Sequence, residues 1–294
     1  MGEAVLKNCR FCESGKIRRV SKREDIYIFR CLDCGTVFLG NDLNEEAIKA
    51  LYEYYGHSTY SDEISPITKL RYEEILDDFE KYRKNNRIID IGCGAGDFML
   101  SAANRGWQAD GTEIAEEAIK LAASKGLEVI EGDAAFLELD KDRYDIATLS
   151  GVMEHVSDPE AIVSKIEHIV RPGGIIYITT PNYNDITRII LGKRWGVFHK
   201  EHLFYFTAGN LASLLKKHNF KIKKARTESL MLREILRIFK KGRPLDDAGI
   251  CQRQEEARGL IEKSVVFSAL KGVINFILNI FRVGGTIYIT AEKV

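Results

Sequence analysis

Residues 87–99 read Arg-Ile-Ile-Asp-Ile-Gly-Cys-Gly-Ala-Gly-Asp-Phe-Met, and the reading of this stretch decides the fold. The β-branched run Ile88, Ile89, Ile91 has the character of a buried strand, and it leads into glycines at 92, 94 and 96. Glycine allows a sharp turn and lets a ligand reach the backbone, because no Cβ stands in the way. The apolar residues Phe98, Met99, Leu100, Ala102 and Ala103 then continue as a helix. A glycine loop at a strand-to-helix switch is where doubly wound α/β folds place their ligands.

The spacing narrows the ligand. A dinucleotide fingerprint carries its third glycine one position later. Here position 97 is Asp97, an anion that repels phosphate at a helix start, and Asp90 ends the strand with a second negative charge. Two carboxylates around a glycine loop suit a cationic ligand. The pattern then repeats: a second strand at 107–112 ends at Glu113, which lies 23 residues past Asp90, and a helix covers 114–125. An acid at that distance is placed to hold the two hydroxyls of a ribose, and it also suits the cap of the following helix. A third strand at 127–130 precedes Gly132-Asp133-Ala134; a fourth covers 144–150 with Asp145 near its start; Arg171-Pro172-Gly173-Gly174 turns into a fifth at 175–180. A sixth is expected at 220–225 and a last one at 284–291.

Asp-x-Gly-x-Gly-x-Gly at 90–96, with Glu113 and Gly132-Asp133-Ala134 in step, resembles the first motifs of the class I S-adenosylmethionine-dependent methyltransferases. That resemblance implies an α/β fold with a doubly wound, mostly parallel seven-stranded Rossmann-like sheet, and S-adenosylmethionine as cofactor. It places Asp90, Gly92, Gly94, Gly96, Glu113, Asp133, Ala134 and Ser150 against the cofactor, with Asp133 accepting from the adenine amino group and Ala134 near the ring. The fourth strand ends in Gly151-Val152-Met153-Glu154-His155-Val156, at the edge where a methyl acceptor would sit. His155 titrates near neutrality and is the first candidate for a catalytic base, oriented by Glu154; a purely structural part in the loop before Asp158-Pro159 suits it equally. Quinone-pathway enzymes of this group use another acid three positions before the Glu-His pair to complete a divalent-metal site. Gly151 stands there, and no catalytic metal is expected. The cluster His199-Lys200-Glu201-His202, followed by Leu203, Phe204, Tyr205 and Phe206, falls where the family builds its acceptor pocket, and His202 is the alternative base. His199 and His202 could also share a metal across one helical turn, but the sequence shows no third ligand.

Cys9-x-x-Cys12 and Cys31-x-x-Cys34, separated by 18 residues, have the spacing of a zinc ribbon. Four thiolates leave no open position, so the expected Zn2+ is structural. The ribbon would cover 1–40, a helical linker or cap 41–84, and the methyltransferase domain 85–294. Within the linker, helices are expected from Asn44 to Tyr55 and from Pro66 to about Lys84, with a tyrosine-rich segment at 51–60 that packs the ribbon or closes the pocket. The ribbon surface is modestly basic with few aromatics, which favours substrate placement over base reading. Cys93 is a small packing residue, and Cys251 has no readable role.

The chain has 294 residues, 45% hydrophobic and 29% charged, with 43 basic and 43 acidic side chains. Zero net charge disfavours a nucleic-acid substrate. The opening residues do not read as a signal segment and no apolar stretch suffices to cross a bilayer, so a cytoplasmic location is expected. Residues 227–282 interrupt the sheet pattern as an insertion. Its first part belongs to a stretch, 216–243, with eleven Lys or Arg against Glu228 and Glu234; its second, about 264–281, is apolar but for a stripe of Lys271, Asn275 and Asn279. The insertion either packs on the core or on a second copy in a homodimer, or lies on the inner face of an anionic membrane. The expected reaction is methyl transfer to a hydroxyl of a small-molecule, glycan-like or lipid-linked acceptor. The rival readings are a ribosomal- or transfer-RNA methyltransferase with a zinc module, and a non-catalytic S-adenosylmethionine-binding regulatory or scaffold protein.

Overall fold

The computed structural model describes residues 5–42, 64–229 and 265–294. The expected helix at 44–55, the tyrosine-rich segment, the periodic basic stretch at 230–243 and Cys251 lie outside the described residues.

Two sheets organise the molecule. The N-terminal one is built from β1 (Ile17–Arg23), β2 (Ile26–Cys31) and β3 (Val37–Leu39), all antiparallel. The larger one contains β4 (Arg87–Ile91), β5 (Gln108–Glu113), β6 (Val129–Glu131), β7 (Tyr144–Ser150), β8 (Val170–Pro181), β10 (Phe220–Glu228) and β11 (Thr286–Lys293). Its spatial order is β10-β11-β8-β7-β4-β5-β6, parallel from β8 to β6, with β11 antiparallel between β8 and β10. This is the seven-stranded, mostly parallel sheet that the sequence implies. The central strands read as near-continuous apolar runs because helices cover both of their faces.

The helices carry local signals. α1 (Pro66–Glu80) starts at Ser65, whose hydroxyl accepts from the Thr68 N–H, with proline at its first position. It buries Leu76 and Phe79 in a cluster with Ile88, Phe98, Trp107 and Tyr177. It stops short of the expected Lys84 because the chain unwinds to serve Asp145. The N–H groups of Lys84, Asn85 and Arg87 and the Arg171 guanidinium all donate to that fully buried carboxylate. Burial works against its charge, but these donors hold its pKa below the ordinary carboxylate value. Asp145 is thus a structural hub at the start of β7. α2 (Asp97–Asn104), α3 (Glu116–Ser124) and α4 (Pro159–Ile169) follow β4, β5 and β7.

The segment 181–198 contains α5 (Ile186–Leu191), N-capped by Asp185, and a 3₁₀ turn at Gly192–Arg194. β9 (Phe204–Tyr205) comes next and does not join the large sheet. It pairs antiparallel with β3, Val37 opposite Tyr205 and Phe38 opposite Phe204, and becomes the fourth strand of the N-terminal sheet. The expected ribbon at 1–40 is therefore stitched into the larger domain. One continuous core runs from Cys9, Ile28 and Phe38 through Trp195 and Phe204 to Ile89 and Leu149. α6 (Ala208–Lys217) opens with Thr207 and Asn210 capping reciprocally. α7 (Val265–Ile280) precedes β11 and lies against β10.

Candidate active site

The carboxyl ends of β4, β5 and β7 open onto a cavity of about 460 Å³. All eight sequence-predicted cofactor residues except Gly96 line it, and Glu154, His155 and His202 do as well. Gly92, Gly94 and Gly96 all have positive φ. At Gly96 a Cβ would come within 2.5 Å of Leu127 and at Gly92 within 2.7 Å of Val152. The loop therefore needs glycine for its own packing, and Gly96 acts as the left-handed cap of α2 behind the cavity wall.

Asp90 is buried at the end of β4 and accepts a 2.5 Å bond from the Thr148 hydroxyl. Burial pushes its pKa up to about 7, with the nearby Glu113 charge adding to the rise. Glu113 is tied to the backbone at both oxygens: Gly94 donates to one, at 2.9 Å, and Ile114 and Ala115 to the other, at 2.7 and 3.0 Å. It thereby locks the glycine loop onto the tip of β5, and it lines the cavity. Asp133 accepts from the Ala135 N–H, which fixes the turn beneath buried Ala134.

Asp97 differs from the sequence reading. Its carboxylate is paired with Lys125 at 2.6 Å, and the same ammonium donates to the Ala95 carbonyl. Among the described residues the acids at the loop without an ion pair are Asp90 and Glu113, and Asp133 also lines the cavity.

The histidine-lined part of the cavity is assembled from residues far apart in sequence. The imidazoles of His155 and His202 meet edge to face with centroids 4.8 Å apart. His155 Nδ1 lies 3.0 Å from the Glu201 carbonyl and His202 Nδ1 lies 2.8 Å from the Val197 carbonyl. A carbonyl can only accept, so each Nδ1 carries the proton and each Nε2 keeps its lone pair. Burial lowers the His155 pKa to about 4 and the His202 pKa to about 3, so both rings are neutral across the physiological range. The Glu154 carboxylate accepts from the Thr180 hydroxyl at 2.8 Å, and burial pushes its pKa up to about 7. One ligand atom each from Glu154, His155 and His202 lies within 4.8 Å of the others, so His202 supplies a third group where Gly151 does not. His199 is not part of this set.

The sequence gives no sign of what holds His202. The Leu39 N–H donates to the Leu203 carbonyl at 2.9 Å, and the Phe204 N–H donates to the Glu154 carbonyl at 3.1 Å. The His202 segment thus runs between the N-terminal sheet and the loop after β7. Beside it, Trp195 packs against Phe198 and Tyr205 and donates its indole N–H to Asp185.

At the other end of the N-terminal sheet, the sulfurs of Cys9 and Cys34 are 3.7 Å apart, those of Cys12 and Cys31 3.6 Å, and all four lie within 4.8 Å of one another. Tetrahedral thiolates at the usual zinc–sulfur bond length would sit about 3.8 Å apart. Knuckle N–H groups of Phe11 and Cys34 point at Cys9 and Cys31 sulfur. At Cys31 burial opposes ionisation, but backbone and thiol donors outweigh it and lower the pKa to about 7. The donor set fits a structural zinc ion.

A family model described as a methyltransferase domain matches residues 67–225, which spans the glycine loop, Glu113 and both histidines. The chain belongs to this family. Among curated relatives, a ubiquinone biosynthesis O-methyltransferase of Leptothrix cholodnii is 33% identical over 106 residues, covering 33% of this chain and 45% of its own. The same-named protein of Idiomarina loihiensis is 34% identical over 126 residues, covering 40% and 49%. The chain thus spans about half the length of the curated relatives it matches. Among solved structures, a SAM-dependent methyltransferase from Archaeoglobus fulgidus superposes with a TM-score of 0.54 at 20% identity, covering 82% of this chain and 98% of its own. Phosphoethanolamine N-methyltransferase 2 of Haemonchus contortus, in complex with S-adenosylmethionine, gives 0.53 at 19%, covering 85% and 57%. The fold is that of the class I methyltransferases.

Proposed function

We propose that this protein transfers the methyl group of S-adenosylmethionine to a hydroxyl of a small-molecule, glycan-like or lipid-linked acceptor. The observation that carries the reading is the meeting of two neutral imidazoles in the same cavity that the acid-flanked glycine loop lines. When bound, the cofactor supplies a methyl group already made electrophilic by its sulfonium. The chain's residues have the remaining tasks. Asp90 and Glu113 provide negative charge for the cation and acceptors for the ribose, Asp133 receives the adenine amino group, and Gly92 and Gly94 bring backbone close. His155 or His202 takes the proton of the acceptor hydroxyl at Nε2 as the oxygen attacks in line. Leu203 and Val156 form apolar walls that exclude water.

The four cysteines would hold zinc as a closed structural site, and the ribbon would position the acceptor wall through the β3–β9 pairing. The same Glu154, His155 and His202 atoms favour a second reading, in which they hold a divalent cation that acidifies the acceptor. Turnover insensitive to chelation of labile divalent cations would remove it.

Calorimetry with S-adenosylhomocysteine, followed by turnover assays on hydroxyl acceptors, tests the proposal. The expected result is binding that His155→Gln and His202→Gln leave intact, with kcat reduced by about 10²-fold or more. Cofactor binding without turnover on any acceptor would support the scaffold reading; retained RNA binding at moderate salt would support the nucleic-acid one.

A further inference from the structure

α7 is mounted with Asn275 and Asn279 turned toward β10. Asn279 accepts from the Thr227 N–H at 3.0 Å and Asn275 from the Ser229 N–H at 3.1 Å, while Leu278 is buried between them and its carbonyl accepts from the Thr227 hydroxyl. The opposite face carries Val273, Phe276, Ile277, Ile280 and Phe281, at the i, i+3, i+4, i+7, i+8 spacing of one helical side. These residues are 56%, 66%, 48%, 59% and 70% exposed. A helix in a globular protein ordinarily turns such a face to the core, and an apolar surface of this extent marks an interaction site.

A second element extends the surface. Asn182 donates to the carbonyls of Arg282 and Gly284, and the Ile186 N–H donates to the Val283 carbonyl, so α5 starts where α7 ends. Ile189 and Ile190 of α5 are 60% and 65% exposed. Cations border both elements: Lys193 and Arg194 in the turn after α5 and Arg282 after α7 are all exposed. No acidic side chain interrupts the run from Ile186 to Arg194 or from Val273 to Arg282. β8, the strand that leads into α5, ends at Pro181, which lines the cavity.

We infer that α5 and α7 together form a docking face for an anionic lipid surface. The charge pattern selects that occupant: exposed aromatic and branched side chains enter the acyl boundary while the bordering lysine and arginines meet the headgroups. No described helix is long and apolar enough to cross a membrane, so this contact is peripheral.

Co-sedimentation of the full chain with phosphatidylcholine vesicles, with and without about one third phosphatidylglycerol, tests the inference. The expected result is binding to the anionic vesicles at least about fivefold above that to the neutral ones, lost at high salt. The double substitutions Phe276→Ser with Phe281→Ser, and Ile189→Ser with Ile190→Ser, should each lower it by about fivefold or more, and Lys193→Glu with Arg194→Glu should do so on anionic vesicles. All these residues are exposed, and unchanged S-adenosylhomocysteine affinity by calorimetry will show that the fold and cavity are intact. Absence of sedimentation with anionic vesicles, or sedimentation indifferent to the apolar substitutions, overturns the inference. Self-association that Phe276→Ser with Phe281→Ser abolishes, without vesicle binding, assigns the face to a second copy instead.

Discussion

Asp90 and Glu154 are buried carboxyls held near pH 7, with no cation within ion-pair distance of either among the described residues. For Asp90, as part of the proposed cofactor site, this would couple binding to protons. A cation beside the carboxyl favours its charged form, so binding of S-adenosylmethionine near pH 7 should release a proton, and affinity should rise with pH up to about that value. Calorimetry in two buffers of different ionisation heat measures the release; the uncharged sulfur of S-adenosylhomocysteine should release less. For Glu154 the linkage concerns stability. Its folded pKa of about 7 stands above the ordinary value of 4.5, so as pH rises the unfolded chain loses that proton first. The contribution is therefore fully present below about 4.5 and is lost as pH climbs to about 7. Glu154→Gln keeps an acceptor for Thr180 and removes the charge. It should raise the melting temperature at pH 8 by roughly 2–4 °C and leave it unchanged at pH 4. Sequence spacing exposes Asp90 and Glu113 because loop and strand tip are local features. It cannot show that Lys125 neutralises Asp97, or that Glu154 turns to Thr180, because those partners are chosen by packing between distant segments.

Elements with strong local chemistry were legible to within a few residues. The β-branched runs of β4, β7 and β8 and the caps Ser65, Asp158 and Thr207 mark their elements without help from tertiary contacts. At α6 the cap is reciprocal, Thr207 and Asn210 bonding each other's backbone at 3.2 and 2.7 Å. Thr207→Ala removes one side of that box and should cost about 1 kcal/mol, read as a lowered urea midpoint with unchanged S-adenosylhomocysteine affinity. Three features lay beyond sequence reading for physical reasons. α5 has only six residues, too short to show a helical period. β9 has two, and exists because β3 offers it an edge. α7 has an amphipathic pattern that was readable, but pattern alone fixes the stripe and not which side meets the sheet; asparagine bonds to the backbone of β10 decide that.

At the scale of the whole molecule, the four-cysteine cluster and the acceptor wall are two ends of one sheet. Cys31 ends β2, Cys34 starts the turn into β3, and β3 carries the backbone N–H that fixes Leu203 beside His202. The glycine-loop side of the cavity stands on other supports: Glu113 holds Gly94, and Lys125 pairs with Asp97. Metal loss should therefore separate the two halves of the site. In Cys12→Ser, zinc content should fall, because a tetrahedral thiolate site loses one of its four ligands. The β3–β9 pairing should loosen, with a changed near-ultraviolet circular dichroism signal from Trp195, Phe198 and Tyr205, which pack directly against this wall. Affinity for S-adenosylhomocysteine should stay within about threefold of the parent, while kcat at saturating cofactor drops by tenfold or more, since misplacing a reacting group by about 1 Å is enough for a loss of that order. Equal loss of cofactor affinity and turnover would mean that the ribbon supports the whole domain rather than the acceptor wall. Unchanged turnover in a zinc-free protein would separate the ribbon from the site altogether.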